Sequence, residues 1–447
     1  MLSENHGFPI SNLMGVIGII VLLLIAFLFS NNRKAIKWRI VVGGLIIDVI
    51  LAWFIIRTPL GQIIFSFLGK CIDKVMSFAN MGAAFVFGPL YTTSIRASAQ
   101  ILPPSEIATQ LGMKSLSNVN FSFSFIFTAL APIIFFGSIM AVLYHYGIMQ
   151  KVVKAISFFF SRLLGLSSAE SIGVASNVFL GQTQAPLVIA PYLKKLSDSE
   201  LFLTMVGGMA TVAGSLLYAY QSMGAYLPFV LAASILAAPC AIITAKIIFP
   251  ETEENTIKKI DDIPVKTKNG IEAIAVGATD GWKVALGIGI MLLSFLSVVF
   301  FVNYLVLKAT GGSYSLDELV GYAFSPIAYV IGVPHGEILK FSTLIGQKTI
   351  FNEFIAYSNF STYFPNIATK TGINFTNVPA TELKTYMMAC FALTGFANLS
   401  SIAIQIGGIG ELVPSRKSQI AALGLKALLA AVLANLLSAT VVGVFFY

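Results

Sequence analysis

What most constrains this chain is a succession of apolar runs as long as a bilayer is thick. A helix crossing the hydrocarbon core needs roughly 17–25 mostly apolar residues, and the run at about Leu13–Ser30 meets that length without a single charge. Arg33, Lys34, Lys37 and Arg39 follow at once, and no Lys or Arg precedes the run. Basic residues stay on the cytoplasmic side, so the N-terminus is expected outside and this loop inside. Further runs lie at about Ile40–Ile56, Phe121–Tyr146, Leu201–Tyr220, Leu227–Ile248, Trp282–Leu307, Tyr386–Leu412 and Ile420–Phe446. Alternating them across the bilayer gives about eight transmembrane helices and puts the C-terminus outside as well. Composition agrees: 57% of residues are hydrophobic and 11% charged, with mean hydropathy +0.85. Soluble domains carry about 25% charged residues. A soluble enzyme, a disordered chain and a disulfide scaffold are excluded together, leaving an all-α polytopic membrane protein.

The net charge of +8 would suggest nucleic acid on a soluble domain. Here the basic residues sit between apolar segments, as topology signals facing anionic lipid, so no nucleic-acid partner is expected. Cys71, Cys240 and Cys390, like His6, His145 and His335, are scattered. Neither a metal cage nor a disulfide framework follows. The start MLSENHGF lacks the basic region of a cleavable signal, so the first apolar run is expected to remain as a helix. About Leu60–Asn80, where Lys70, Asp73 and Lys74 interrupt apolar residues, suits a helix lying along the interface. A polar stretch with Pro103 and Pro104 leads into the third span. This divides the chain into N-terminal and interfacial helices at 1–120, a scaffold part, and a transporter core at 121–447.

Two segments do not read as simple spans. About Leu164–Leu193 lies between Lys151, Lys154 and Arg162 on one side and Lys194 and Lys195 on the other, and its middle reads SNVFLGQTQAP. Both flanks look cytoplasmic, so two half-length helices meeting at a polar break explain it better than one crossing. Such backbone is tolerated only where protein buries it or it lines a wet cavity. About Leu319–Phe360 contains Pro326, Pro334 and the polar run NEF at 352–354, with no basic excess at its flanks. It fits a second hairpin, entering from outside. Interrupted segments entering from opposite faces mark an inverted-repeat secondary transporter, whose broken-helix tips build the substrate site near the midplane. The pattern gives transport and a location, not a substrate.

Polar groups left unpaired in hydrocarbon are costly, which singles out three constellations. GQTQAP (Gly181–Pro186) sets three amide or hydroxyl side chains in a row; they either cap freed backbone or form a neutral hydrogen-bonding wall for a polar heterocycle or sugar. Glu353 is a lone carboxylate at membrane depth. It either pairs with Lys340 or Lys348, or accepts two hydroxyl hydrogen bonds, matching the paired hydroxyls of a ribose. GFANLSS (Gly395–Ser401) interrupts the seventh span with Asn398, Ser400 and Ser401, for helix–helix hydrogen bonding or for a ligand. The GGIG at 407–410 suggests a bend or close helix contact. Asn177, and Thr211 within the small polar centre GGMATVAGS (207–215), offer hard oxygens suited to an alkali cation or to simple packing. That centre is expected to unwind locally.

The motifs VFLGQTQAPLVIAPYL, NEFIAY and GFANLSSIAIQIGGIG, with NGIEAIAVGATDGWKVAL (269–286) and LKALLAAVLANLL (425–437), resemble the concentrative nucleoside transporter family. The likeness runs from about residue 13 to the C-terminus. The resemblance implies import of nucleosides on a sodium or proton gradient, by elevator-like movement of a transport domain against a homotrimeric scaffold in a bacterial cytoplasmic membrane. It implies base contacts from Gln182, Thr183 and Gln184, ribose contacts from Glu353, Asn398 and Ser401, and an aromatic neighbour in Phe396. It places sodium at Asn177, Leu180, Thr211 and Val212, the apolar pair through backbone carbonyls. No resident cofactor is implied; sodium is the favoured coupling ion and a proton the alternative.

Two positions depart from the family pattern. Its hairpin motif reads GQTE, and this chain has Gln184 at the acidic position, which bears on base preference because an amide donates as well as accepts. Thr211 stands where serine is usual and keeps the hydroxyl. A membrane-embedded enzyme acting on a lipid-linked substrate would want clustered carboxylates or a nucleophile–base pair at one interface, and the acids here are spread out. A channel would show pore-lining repeats.

Overall fold

The computed structural model describes residues 10–87, 125–253, 267–369, 372–373 and 375–446. The segment with Pro103 and Pro104, the start of the third span, His6 and most of the basic loop after Ile248 lie outside the described residues. The chain forms α1 (Ile10–Leu28), α2 (Trp38–Arg57), α3 (Pro59–Phe87), α4 (Phe125–His145), α5 (Ile148–Leu164), α6 (Ser168–Val188), α7 (Asp198–Ala210), α8 (Leu217–Ser222) and α9 (Leu227–Ile248). There follow α10 (Gly270–Ala309), α11 (Leu316–Val330), α12 (Ile338–Ile350), α13 (Glu353–Ser358), α14 (Phe360–Tyr363), α15 (Ala380–Leu393), α16 (Leu399–Leu412) and α17 (Lys417–Val444). A two-residue antiparallel pair, Ala368–Thr369 with Gly372–Ile373, closes one loop.

Six helical stretches among the described residues are long and apolar enough to cross a bilayer: Ser11–Leu28, Trp38–Arg57, Asp198–Ser222, Leu227–Ile248, Gly270–Ala309 and Pro414–Val444. The apolar α4, bent by 79° from the amphipathic α5, adds another candidate. With α15 and α16, each 14 residues long and able to cross only together, the expected set of eight is recovered.

The half-length elements begin where their sequences supply caps. Ser167 and Ser197 each start a helix with a reciprocal capping box, completed by Glu170 and Glu200. These satisfy amide groups that no helical partner can reach. Lys246, near the end of α9, forms a buried ion pair with Glu170 and donates to Ser199 Oγ at 2.9 Å. Ser197 Oγ donates to Glu251 at 2.7 Å, and Arg416 pairs with Asp198 at 2.7 Å. The starts of α6, α7 and α17 are thereby tied to the end of α9. Inside this frame α9 and α17, rich in alanine, are buried along most of their lengths.

Four expectations change. The stretch expected along the interface at Leu60–Asn80 is part of a longer helix, α3, set off from α2 at Thr58. The sixth span is not Trp282–Leu307 but a 40-residue helix, about 60 Å long at about 1.5 Å per residue. Asp280 lies just before the expected run and Lys283 within it, and neither breaks the helix, because both side chains are exposed. It packs on α4 where Gly277 and Gly281 meet Gly137 and Ile134, and little of its apolar window is buried. The second interrupted segment is narrower than Leu319–Phe360: Pro326 sits inside the intact α11, and the break falls at Phe351–Asn352, between α12 and α13. The seventh span is two helices rather than one, parted at Thr394–Asn398. There Gly395 takes φ +103°, and a Cβ would lie 2.2 Å from the carbonyl oxygen of Ala210. Only glycine permits that approach.

Candidate functional site

Four helix breaks meet inside the fold. In α6 the break is Gly181, at φ 74° and ψ 178°, so close to Ala213 that a Cβ would stand 2.8 Å from its Cβ. The fourth span unwinds at Thr211–Ala213, as its small polar centre suggests, between α7 and a short 3-10 turn. The other two breaks, at Phe351–Asn352 and Thr394–Asn398, end in asparagines that cap the helices after them. Asn352 accepts from the Ile355 amide at 3.0 Å and Asn398 from the Ser401 amide at 2.9 Å.

Side chains stitch these breaks together. Gln182 donates to Ser401 Oγ at 3.1 Å, joining the first break to α16. Asn398 Nδ2 donates to Glu353 Oε2 at 2.9 Å, joining the third break to the fourth. Tyr220 of α8 donates to the other Glu353 oxygen at 3.4 Å. Ser400 Oγ donates to Asn398 Oδ1 at 2.7 Å, fixing that amide's orientation. Of the two lysines considered for Glu353, Lys340 pairs with Glu337 at 3.0 Å. Lys348 donates to the Ala392 carbonyl at 2.7 Å, the Thr394 carbonyl at 3.3 Å and Asn435 Oδ1 at 2.6 Å.

Around this junction lies a cavity of about 260 Å³. Gln182, Thr183, Gln184, Glu353, Phe396, Asn398 and Ser401 all line it. They fall into two chemical groups that meet where Gln182 touches Ser401: amides and a hydroxyl from the α6 break, and a carboxylate, an amide and a hydroxyl from the α13 and α16 starts. A further wall is α10, through Lys283, Val284, Ile288, Met291 and Leu292. This wall and Tyr220 were not singled out by sequence, because an apolar helix face and a tyrosine inside a span carry no local mark of a site.

The cation candidates sit beside the cavity. Asn177 is fully buried, and among the described residues neither its amide oxygen nor its amide nitrogen has a hydrogen-bond partner. The Thr211 hydroxyl lies 2.9 Å from the Asn177 carbonyl oxygen and 2.8 Å from that of Gly207, bridging α6 to the unwound fourth span. Leu180 lines the cavity next to Gly181 and Ala213, and Val212 is buried beside Thr211 in non-helical backbone. A buried, unpartnered amide on a residue whose backbone carbonyl is bridged by a hydroxyl to unwound backbone offers the oxygens a hard monovalent cation takes.

Comparison with known proteins places the chain. A family model described as the C-terminus of Na+ dependent nucleoside transporters matches residues 229–443. Its N-terminal counterpart matches 17–90, and one described as nucleoside recognition matches 126–227. The nucleoside permease NupC of Helicobacter pylori is 39% identical over 97% of this chain and 98% of the permease. This chain belongs to the concentrative nucleoside transporter family. The transporter YutK of Bacillus subtilis is similar at 40% identity, over 97% of this chain and 99% of its own. Rat sodium/nucleoside cotransporter 1 is 34% identical over 97% of this chain but only 64% of its own length. The fold agrees: CNTnw in an inward-facing substrate-bound state matches with TM-score 0.85 at 38% identity, covering 97% of this chain and 99% of that one. An outward-facing CNTnw variant matches at TM-score 0.84. The protein is therefore a multi-pass membrane transporter of the nucleoside class and not an enzyme.

Proposed function

We propose that this transporter imports nucleosides together with sodium. The observation that carries the reading is the joining of two chemistries at one junction. A cavity lined by Gln182, Thr183 and Gln184 together with Glu353, Asn398 and Ser401 lies beside the unpartnered amide of Asn177. The amide side offers donors and acceptors to a base. The carboxylate of Glu353, held by Tyr220 and Asn398, accepts the paired hydroxyls of a ribose, and Phe396 offers a ring beside the nucleoside. Sodium takes Asn177 and Thr211 through side-chain oxygens and Leu180 and Val212 through carbonyls. It thereby clips the α6 break to the fourth-span break that frames the cavity.

Alternating access follows an elevator-like movement. The moving part lies within residues 121–447, and residues 1–120 belong to the stationary part, assembled as a homotrimer in a bacterial cytoplasmic membrane with both termini outside. The family models named for Na+ dependence and the rat cotransporter support sodium as the coupling ion. Uptake of radiolabelled uridine and adenosine into proteoliposomes, under an imposed sodium gradient or an imposed pH gradient, tests the reading. Uptake driven by sodium alone is expected. Uptake that ignores sodium and follows the pH gradient moves the coupling to protons.

A further inference from the structure

Lys348 is a buried cation in a membrane protein, yet among the described residues its hydrogen-bond partners are all neutral. Its ammonium donates to the carbonyls of Ala392 and Thr394, in the last turn and at the C-cap of α15, and to Asn435 Oδ1 of α17. Three acceptors match the three protons of a charged ammonium. The amide of Asn435 turns its nitrogen to the Ala210 carbonyl at 2.7 Å, the last residue of α7. The ends of two interrupted helices, α7 and α15, therefore converge on one positive charge supplied by the chain. Helix C-termini present unsatisfied carbonyls and the negative end of the dipole. In interrupted transporter helices such ends and unwound carbonyls are what a coupling cation coordinates.

We infer that Lys348 is a tethered cation, holding a position between the two broken helices that would otherwise take a second alkali ion. Only one mobile cation, at Asn177 and Thr211, then accompanies each nucleoside. That count rests on the sodium reading above, whereas the place of the ammonium among the oxygens does not. Anchoring α12 to the ends of α7 and α15 also positions Glu353, five residues beyond Lys348, against Asn398.

Lys348→Ala removes the charge and opens room at the oxygens; Lys348→Met removes the charge and fills the room. Nucleoside uptake by both variants and the wild type is measured against external sodium, with choline holding ionic strength fixed. The wild type is expected to respond with a Hill slope of about 1. Lys348→Ala is expected to lose at least about tenfold at the sodium concentration that half-saturates the wild type, and to recover at higher sodium with a slope near 2. Lys348→Met is expected to lose as much and not to recover. The inference is overturned by an Ala variant that transports undiminished, keeps the wild-type slope or fails to assemble even in high sodium. A Met variant with wild-type uptake overturns it equally. A wild type indifferent to sodium defeats the sodium reading alone, and an Ala variant that then acquires sodium dependence still upholds Lys348 as the tethered cation.

Discussion

At the seam between α6 and α7, Asn177 is fully buried with its amide unpartnered; at the seam joining α12, α15 and α17, Lys348 directs its ammonium protons onto three oxygens. Both seams set carbonyl oxygens at the end of an interrupted helix. The second is completed by the chain and is fixed. The first is left incomplete, so its closure depends on what binds. On the proposed sodium reading, that difference puts the ion-dependent step at the α6 break, whose Gln182 contacts Ser401 of α16. It also explains why Glu353 is held by neutral groups and kept for a ligand: its nearest lysine is already engaged.

The largest effect expected at the junction comes from Gly395→Ala. Left-handed backbone costs about 1–3 kcal/mol, and overpacking against the Ala210 carbonyl adds about 1–3 kcal/mol. Thermal melting of the purified variant should fall well below the wild type, whereas Gly336→Ala, with nothing within 4 Å of the added carbon, should melt close to it. Next comes Glu353→Gln. Charge-assisted hydrogen bonds contribute about 1.5–3 kcal/mol, so nucleoside affinity should fall about tenfold to a hundredfold in a protein that still folds and inserts. Calorimetric binding at the wild-type affinity would remove Glu353 from the ribose side.

Smaller effects sharpen the contrast between the seams. Asn177→Ala and Thr211→Val should abolish the sodium dependence of nucleoside affinity, a coupling of about 1–2 kcal/mol, while Thr211→Ser keeps it. Melting curves with sodium or choline would report the same loss: sodium stabilises the wild type and should leave both variants unmoved. The smallest change is expected from Gln184→Glu, which exchanges a group that donates and accepts for one that only accepts. It should reorder uridine, adenosine and inosine by about 1 kcal/mol rather than weaken all three alike. Parallel inhibition profiles for the two proteins would place Gln184 at the tip of the break only.

Much of this site was legible because polar residues inside membrane-length apolar runs must be paid for by partners or a ligand. That rule singled out GQTQAP, NEF and ANLSS, and the cavity gathers residues from all three. It marked the fourth-span break as well, through a run of small residues. What stayed hidden depends on distant parts of the chain. The split of the seventh span requires Gly395 to approach Ala210, a contact with no trace in local pattern. The sixth span extends past its apolar run at Trp282 because Asp280, just before it, is exposed, and an exposed charge does not stop a helix. Lys340 and Lys348 are the alternative partners for Glu353 in the sequence, and the fold gives both of them other oxygens.

Nucleoside binding to the purified transporter, titrated calorimetrically over a range of sodium at fixed pH and ionic strength, bears most directly on the central claim that an incomplete cation seam controls the nucleoside cavity. Affinity is expected to rise with sodium in the wild type and in Gln184→Glu, and to be flat in Asn177→Ala. Because linkage is reciprocal, nucleoside should tighten sodium binding by the same factor. An affinity indifferent to sodium in the wild type, or an undiminished sodium dependence in Asn177→Ala, would contradict it.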